Sequence, residues 1–544
     1  KNKCVAEGTL VFDPSTGLTH RIEDIVDHGA GASVVAVDKA GTVHTSPITA
    51  RFDQGEQDVI GLRLRDGTVL RVTPDHKVLT DLGWREAGAL AVGDRVARVH
   101  HAGGFGTARP VTPEQARLLG YLIGDGYVGG KTPVQFINVA DSLQADAAAI
   151  ASSLGCDAHP RGIEVSFSHR TGEKNGVLEL VRWAGIWGHL APNKRIPAAF
   201  FDADISEELV ANLVFGLLET DGWVSREQTG GLRVGYATSS EQLAHQLHWL
   251  LLRWGISSSV RAYDPTSQRA SIVKGRRVQS KLHMWEVRVS GINNVTRFAE
   301  VIPMWGPRGQ VLAAALSDPA LKKHRGSQDI YLSASQTEPV LAYLRGIGLT
   351  ASAAAQMIGP RSGDPRGGMR QVLGLSRLRR DHVKKLADAL DSDFLNEVLS
   401  EDLYYARVVA ITPPERARTF DVEVDELHTF VANGIVVHNC SAPFRQAEFD
   451  IVYGKGISRE GSVLDVAVDL GIVKKSGAWY TYDGEQLGQG RENAKTFLAE
   501  NPALMIEIYD RVRQQVGIVP PGIETTLGHG ETETDPDDEP ISLD

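Results

Sequence analysis

The sequence holds two widely separated positions that can act together. One is Cys4; the other is the tripeptide His438-Asn439-Cys440. An asparagine side-chain amide can attack its own main-chain carbonyl carbon, closing a succinimide and releasing the residue that follows. A thiol at each border can carry an acyl group, because the thiolate is a strong nucleophile. The 436 residues from Cys4 to Asn439 are therefore equipped to detach themselves and pass the preceding chain to Cys440. A lone cysteine is more often a small buried hydrophobe, so the neighbours must decide. Only three cysteines exist in the chain, and two stand at these borders. Thr73-Pro74-Asp75-His76 ends a strand-like run. A histidine there can hydrogen-bond the Cys4 amide nitrogen and polarise the Lys3–Cys4 peptide, help that a thiol with pKa about 8.5 needs near neutrality.

A second constellation is a repeat. Gly120 precedes Asp125-Gly126 by five residues, and Gly216 precedes Asp221-Gly222 by the same interval. Tyr127-Val128 follows the first and Trp223-Val224 the second. Each continues into a strand (residues 134–138 and 232–238), then a helix ending at Leu154-Gly155 or Trp254-Gly255. One Asp-Gly is an ordinary turn. Two copies of one α/β unit imply a pseudo-twofold domain, with glycines that let the helices approach and set Asp125 beside Asp221. Paired carboxylates of this kind can hold Mg²⁺, which activates water and stabilises a leaving oxygen. Gly126 to Thr132 is similar to a phosphate loop but is one residue short, with Asp125 where a glycine is required.

These groups need elements to position them. Residues 4–100 alternate apolar and polar side chains between turn signals such as Asp66-Gly67, a β pattern. Residues 111–300 show long helical periodicities, and 406–439 return to short strands, so a β domain is interrupted by a helical insertion. Residues 361–385 hold eight Lys or Arg against two Asp. Helices at 351–358 and 376–390 around that run suggest a helix-turn-helix-like DNA contact.

At 544 residues the chain is too long for one core. Its 42% hydrophobic and 23% charged residues are those of an ordinary soluble protein. No apolar run reaches membrane-spanning length and no leader is visible. Three cysteines without a Cys-x-x-Cys exclude a disulfide framework and a zinc site, and point to a reducing, cytoplasmic setting. The net charge of −11 is concentrated at the end: residues 523–544 carry eight acids and no Lys or Arg, leaving −3 for the rest. Such a tail is expected to be disordered. The start at Lys1-Asn2-Lys3 without Met suggests a fragment or processed piece.

Cys4-Val-Ala-Glu-Gly-Thr, Thr73-Pro-Asp-His76, Arg418-Thr-Phe-Asp421, Glu426-Leu-His428-Thr and Val437-His438-Asn439-Cys440, in this order, resemble the splicing motifs of inteins. The resemblance implies an all-β Hint horseshoe built from residues 4–105 and 404–439. It also implies roles. Cys4 forms the first thioester at Lys3, with Thr73 and His76 assisting and Asp421 tuning both border thiols. Cys440 takes the acyl group, Asn439 cyclises with help from His438 and His428, and an S-to-N shift joins Lys3 to Cys440. No cofactor is needed for these steps. The alternative is a Hint-type domain that cleaves without ligating.

The paired Asp-Gly units resemble the LAGLIDADG homing endonucleases, which implies an α/β endonuclease domain over 106–315 cutting double-stranded DNA with Mg²⁺ at Asp125 and Asp221. Lys194, in Asn193-Lys-Arg-Ile-Pro197, resembles the family's lysine motif, and Lys281 is the candidate in the second half. A nuclease-inactive, splicing-only protein is the alternative here. Region 316–403 reads as accessory and helical, with Arg361, Arg366, Arg370, Arg377, Arg379, Arg380, Lys384 and Lys385 as DNA contacts.

After Cys440, Pro443-Phe-Arg-Gln-Ala-Glu-Phe-Asp-Ile451, Ser476-Gly-Ala-Trp-Tyr480 and Gly488-Gln-Gly-Arg-Glu-Asn-Ala494 resemble the C-terminal part of bacterial RecA recombinases. Residues 440–517 would then form the end of that core and a small α/β C-terminal domain, with 518–544 as its acidic tail and 1–3 as the other flank. The resemblance implies a mature host that binds ATP and single-stranded DNA and forms filaments with other subunits in repair, recombination and the SOS response. Lys1 and Lys3 are its nucleotide-contact candidates. The phosphate loop of that family is absent from this sequence.

Overall fold

The computed structural model describes residues 3–130, 133–172, 174–226, 231–263, 271–273, 276–278, 283–319, 321, 332, 334–358, 378–399, 402–439, 451–452 and 456–515. Two compact units divide the chain, Lys1–Pro443 and Phe444–Asp544.

The first unit is organised by a sheet that both of its ends enter. Its longest strand, Val43–Leu64, pairs along its length with Glu415–Val424 and also with Ser33–Val37, Val69–Val72 and Leu403–Ile411. Strands from before and after the insertion are thus interleaved. The two-residue strand Val5–Ala6 lies between Val69–Val72 and Glu415–Val424, with Val5 opposite both Val72 and Phe420. Alternation dictates this arrangement. In Val69-Leu70-Arg71-Val72 the even positions are buried and Arg71 turns outward, the period-two pattern of a half-buried strand. Val5, Leu70, Val72, Phe420, Val422, Phe430 and Val437 form the centre of the core. Thr429–Ala432 and Ile435–His438 make a hairpin in which His438 faces Thr429, and Val437 pairs with Val78 of the strand Lys77–Thr80.

The insertion contains two copies of one unit. In the first, helix Pro113–Asp125 leads into strands Gly126–Tyr127, Gln135–Ile137, Glu164–His169 and Cys156–Arg161. In the second, helix Glu207–Asp221 leads into Gly222–Arg226, Leu232–Thr238, Met284–Ser290 and Ser258–Tyr263. Thr112 and Gln115 form a reciprocal capping box that starts the first helix, and Pro113 occupies its first turn. The second helix is buried without a break from Leu209 to Thr220, as befits the central helix of the domain. The two helices touch at backbone distance. A Cβ on Gly120 would stand 2.3 Å from the Leu213 carbonyl oxygen, and one on Gly216 2.5 Å from that of Arg117. Only hydrogen fits at either crossing point.

The insertion is also packed onto the splicing-type sheet. Trp249, on helix Glu241–Leu252, stacks on Phe12 with ring centroids 4.4 Å apart. The Gln242 side chain brackets Thr19, accepting from its N–H at 3.0 Å and donating to its carbonyl at 2.5 Å. Trp249 and Leu252 share one hydrophobic cluster with Phe12, Val35, Val99, Tyr405 and Val436.

Helices Ala334–Gly346, Ala351–Ile358, Arg380–Leu390 and Asp393–Val398 have their own core of Val340, Leu344, Val383, Leu386 and Leu395. The sequence suggests a helix from 376, but the described helix starts at Arg380, because Arg379 is extended and serves as its N-cap.

The second unit has helix Arg459–Asp469, a three-stranded sheet of Lys474–Ser476, Trp479–Tyr482 and Glu485–Gln489, and helices Arg491–Glu500 and Pro502–Gln515. Val463, Leu464, Tyr480, Leu487, Leu498 and Ile508 form its core. Among the described residues no helix is long and apolar enough to cross a membrane.

Candidate functional site

The registers of Val5–Ala6 fix Cys4. One further step along each ladder sets Cys4 opposite Thr73 on one side and Asp421 on the other. The Cys4 N–H donates to Thr73 Oγ1 at 3.1 Å, and the Thr73 N–H donates to the Cys4 carbonyl at 3.0 Å. Cys4 and Asp421 are fully buried. The Cys4 amide is thus held by Thr73, not by His76. The His76 ring lies against the Lys3 backbone instead, and contact with it favours the protonated ring. Neither ring nitrogen closes a well-formed hydrogen bond among the described residues. Burial dominates and drives His76 down to about 4, so the imidazole is neutral near pH 7.

At the other border the Asn439 N–H donates to the His428 carbonyl at 2.9 Å. His438 Nδ1 lies 2.7 Å from the Asn439 carbonyl oxygen. That oxygen has no proton to give, so Nδ1 donates, polarising the carbonyl that the Asn439 side chain must attack. Asn439 is 1% exposed. Its Nδ2 donates to the Val424 carbonyl at 3.3 Å, and its Oδ1 has no hydrogen-bond partner among the described residues. His428 has φ +52°, a left-handed conformation that histidine adopts more readily than most residues. Burial lowers the His438 pKa, against the hydrogen bond to Asn439. The Trp84 ring meets the His438 ring edge-on, with centroids 5.2 Å apart. Cys440 and Lys1 lie outside the described residues.

In the insertion, Asp125 and Asp221 end the two crossing helices. Burial is the main obstacle to ionising either one. Asp221 is pushed up to about 6 by burial and then by Asp125, and Asp125 is raised by burial. Asn138 Nδ2 donates to Asp125 at 2.6 Å. Lys194 Nζ caps the first helix, donating to the carbonyls of Leu122, Gly124 and Gly126 at 3.0, 3.0 and 2.7 Å. Burial lowers its pKa to about 8.

The second helix ends under Arg308, whose guanidinium donates to the carbonyls of Glu219, Thr220 and Gly222. Arg308 is therefore the counterpart of Lys194, a place the sequence reading gives to Lys281. Lys281 lies outside the described residues. Arg308 is seated by the N-terminus of helix Pro307–Leu316. There the N–H groups of Arg308 and Gly309 donate to the buried Glu219 carboxylate at 3.0 and 2.8 Å, an anion on a helix N-terminus. Gly306-Pro307-Arg308 was its only sequence signal, a Pro at a helix start beside a cation. Tyr236 is a second omission. Its buried hydroxyl, whose pKa is raised by burial and then by both aspartates, has no hydrogen-bond partner among the described residues.

Of the basic run, Arg361, Arg366, Arg370 and Arg377 lie outside the described residues. Arg379 is the N-cap of its helix, and Arg380 donates to the Leu399 carbonyl. Lys384 pairs with Asp388 at 2.6 Å, and Lys385 donates to the Ile358 carbonyl at 2.8 Å. Arg380, Lys384 and Lys385 thus have local acceptors.

A β fold whose first and last strands meet, with a thiol at one border and an activated asparagine at the other, has the makings of a self-processing domain. The intein splicing domain family matches residues 13–439, and the RecA C-terminal domain family matches residues 461–517. The chain belongs to the intein splicing family.

It is 60% identical over 522 residues to Protein RecA of Mycobacterium tuberculosis, a match covering 95% of this chain and 66% of that protein. The organisation is that of a RecA precursor containing an intein. Protein RecA of Acidothermus cellulolyticus is 59% identical over 86 residues, 16% of this chain and 25% of that one. Among solved structures, the Ssp DnaB mini-intein variant M86 matches at 20% identity with a TM-score of 0.18, over 19% of this chain and 64% of that chain.

Proposed function

We propose that residues 4–439 excise themselves and join Lys3 to Cys440. The carrying observation is that both borders end on one sheet, with the Lys3–Cys4 amide on Thr73 and the Asn439 carbonyl on His438. The Cys4 sulfur attacks the Lys3 carbonyl carbon. The C–S bond forms as the C–N bond breaks, and the thiol proton ends on the freed Cys4 amine by way of Thr73 Oγ1. His76, neutral and set against the Lys3 backbone, stabilises the carbonyl as it becomes tetrahedral. Cys440 then exchanges thiol for thiol, taking the acyl group and returning a proton to Cys4. Asn439 Nδ2 attacks its own carbonyl carbon, polarised by His438, and the Asn439–Cys440 bond breaks with the proton passing to the Cys440 amine. That amine then attacks its thioester, restoring a peptide and a free thiol. Asp421, opposite Cys4 in register, is suited to hold the border thiols in turn, with His428 supporting the Asn439 backbone.

The test is expression in a reducing host followed by mass spectrometry. A free 436-residue product and the ligated flanks are expected. Persistent precursor overturns the proposal, and free but unligated flanks select cleavage without ligation.

A second activity is supported by the Asp125–Asp221 pair. We propose an Mg²⁺-dependent endonuclease of the LAGLIDADG class acting on double-stranded DNA. Two part-buried carboxylates whose ionisation is opposed, beside an orphan hydroxyl on Tyr236, fit a hard divalent cation that takes its remaining ligands from phosphate and water. When bound, that ion would supply an activated water and charge neutralisation. The protein's own part is to hold the carboxylates on one rigid crossing, with Lys194 and Arg308 locking the helix ends. The basic run of 361–385 would extend the DNA contact. Cleavage of a randomised duplex library with Mg²⁺, and its loss in Asp125→Asn, tests this. Equal cutting by the variant rejects it.

The joined flanks would complete the end of a RecA recombinase. In that proposal the mature host binds ATP and single-stranded DNA as a cytoplasmic filament, with Lys1 and Lys3 directed to nucleotide.

A further inference from the structure

We propose that Gln57 is a positioning residue for the first acyl shift, its carboxamide holding the Cys4 sulfur while the sulfur attacks Lys3. The inference rests on the splicing reading given above. Gln57 Nε2 donates to Cys4 Sγ at 3.7 Å and to the Gln54 carbonyl at 3.3 Å. The Gln54 carbonyl has no proton to offer in return. The opposite placement of the amide would set Oε1 against a carbonyl oxygen, so the nitrogen must face them.

The local backbone makes the second anchor possible. Thr419 faces Gly55 while Phe420 faces Asp53, so Gln54 is an extra residue in the ladder, a β-bulge. Gly55 has φ +70°, and its carbonyl accepts from Thr419 Oγ1 at 2.9 Å. Bulges bend a strand and re-aim nearby side chains. This one lies opposite the two residues, Thr419 and Phe420, that pair with Ala6 and Val5. The bulge stands at Gln54, whose carbonyl accepts from the Gln57 amide beside the strand end where Cys4 begins.

With one N–H fixed on Gln54 and the other on Sγ, the side chain restricts the sulfur to one direction. It also meets negative charge as the charge gathers there. Thr73 holds the nitrogen of the breaking bond, and Gln57 holds the atom that makes the new one.

The test uses the full chain carrying Asn439→Ala and Cys440→Ala, so that the first thioester is the last step. Dithiothreitol then releases residues 1–3 at a rate read by mass spectrometry. Gln57→Met, similar in shape but without a donor, is expected to slow release about tenfold, the size of one hydrogen bond to a charged group. Gln57→Lys, which restores an N–H donor of similar reach, is expected to recover most of the rate. Gly55→Ala, whose Cβ meets no neighbour but whose φ is unfavourable, is expected to slow the same step. Asn439 cyclisation, followed separately in Cys4→Ala, should be unchanged within about twofold by Gln57→Met, since one missing donor acts only where it is bonded. An unchanged release rate in Gln57→Met, equal slowing in the Met and Lys variants, or equal slowing at both borders each overturns the proposal. Absence of thioester in the parent chain overturns the splicing reading itself. If Gln57→Met does not fold, Gln57→Glu, of the same shape at neutral pH but without the N–H, takes its place.

Discussion

Thr73 and Cys4 hold each other across one rung of the sheet, the Thr73 N–H donating to the Cys4 carbonyl and the Cys4 N–H donating to the Thr73 hydroxyl. A side chain thus stands where a backbone carbonyl would complete the ladder. Unlike a carbonyl, a hydroxyl can return a proton to the amine that leaves. Thr73→Val keeps the shape and removes that capacity. Release at Lys3–Cys4 should fall roughly ten- to a hundredfold, the loss of a hydrogen bond to a group that changes charge. Asn439 cleavage should keep its rate. Parallel timing of both cleavages decides the matter, and equal losses would mean that Thr73 only supports the fold.

Asp221 destabilises the protein it serves. Its folded pKa, raised to about 6 from 3.8, means that the charged form is disfavoured in the fold. Stability is therefore lost as pH rises from about 4 through about 6, by as much as about 3 kcal/mol. Asp221→Asn should raise the melting temperature by several degrees at pH 8 and leave it nearly unchanged at pH 4, while abolishing DNA cleavage. A melting shift of the same size at both pH values would show that charge is not the cause.

Four histidines, His76 buried and His100, His245 and His248 part-buried, work in the opposite sense. Burial lowers His76 and His245 to about 4 and His100 and His248 to about 3. The unfolded chain binds these protons below about pH 6.5 and the folded chain does not. Their contribution is intact above pH 6.5 and is lost as pH falls towards 4, by about 1.4 kcal/mol per unit for each. With four such groups against two raised aspartates, the melting temperature should drop steeply between pH 6.5 and 4.5. His248 Nδ1 lies 2.7 Å from Ser258 Oγ, and His248→Gln should flatten that slope. A slope identical to the parent's would count against this account.

Trp249 belongs to the insertion by sequence and to the splicing-type sheet by contact. Trp249→Ala removes the ring stacked on Phe12 and opens a void in a shared core, at a cost of about 3–5 kcal/mol. Ligated product should fall at 37 °C and recover at lower temperature, and chemical denaturation should show the same loss. Full splicing at 37 °C would mean that the two modules fold independently.

The places of the candidate residues were legible where covalent order carries them: His438 precedes Asn439, and Asp125 ends its helix. Alternation in residues 69–72 and the glycines at 120 and 216 announced the sheet and the helix crossing, since both follow from local period and steric size. What escaped depends on distant contacts. Arg308 reaches the end of a helix 86 residues earlier, at Gly222, through a turn with no shared motif with Lys194. Gln57 acts through a bulge, and a bulge is a mismatch between two strands that neither sequence displays alone. By sequence, His76 at the end of a strand-like run reads as the partner of the Cys4 amide. The sheet register gives that amide to Thr73 and turns the ring to Lys3.

The strand Val5–Ala6 is clamped between one neighbour made early and another made late. During synthesis at roughly 5–20 residues per second, Phe420 follows Val5 by roughly 20–80 s. Until then Cys4 has Thr73 beside it but no second wall. The order of translation thus sets the order of assembly, the wall that carries Asp421 being the last to close on Cys4.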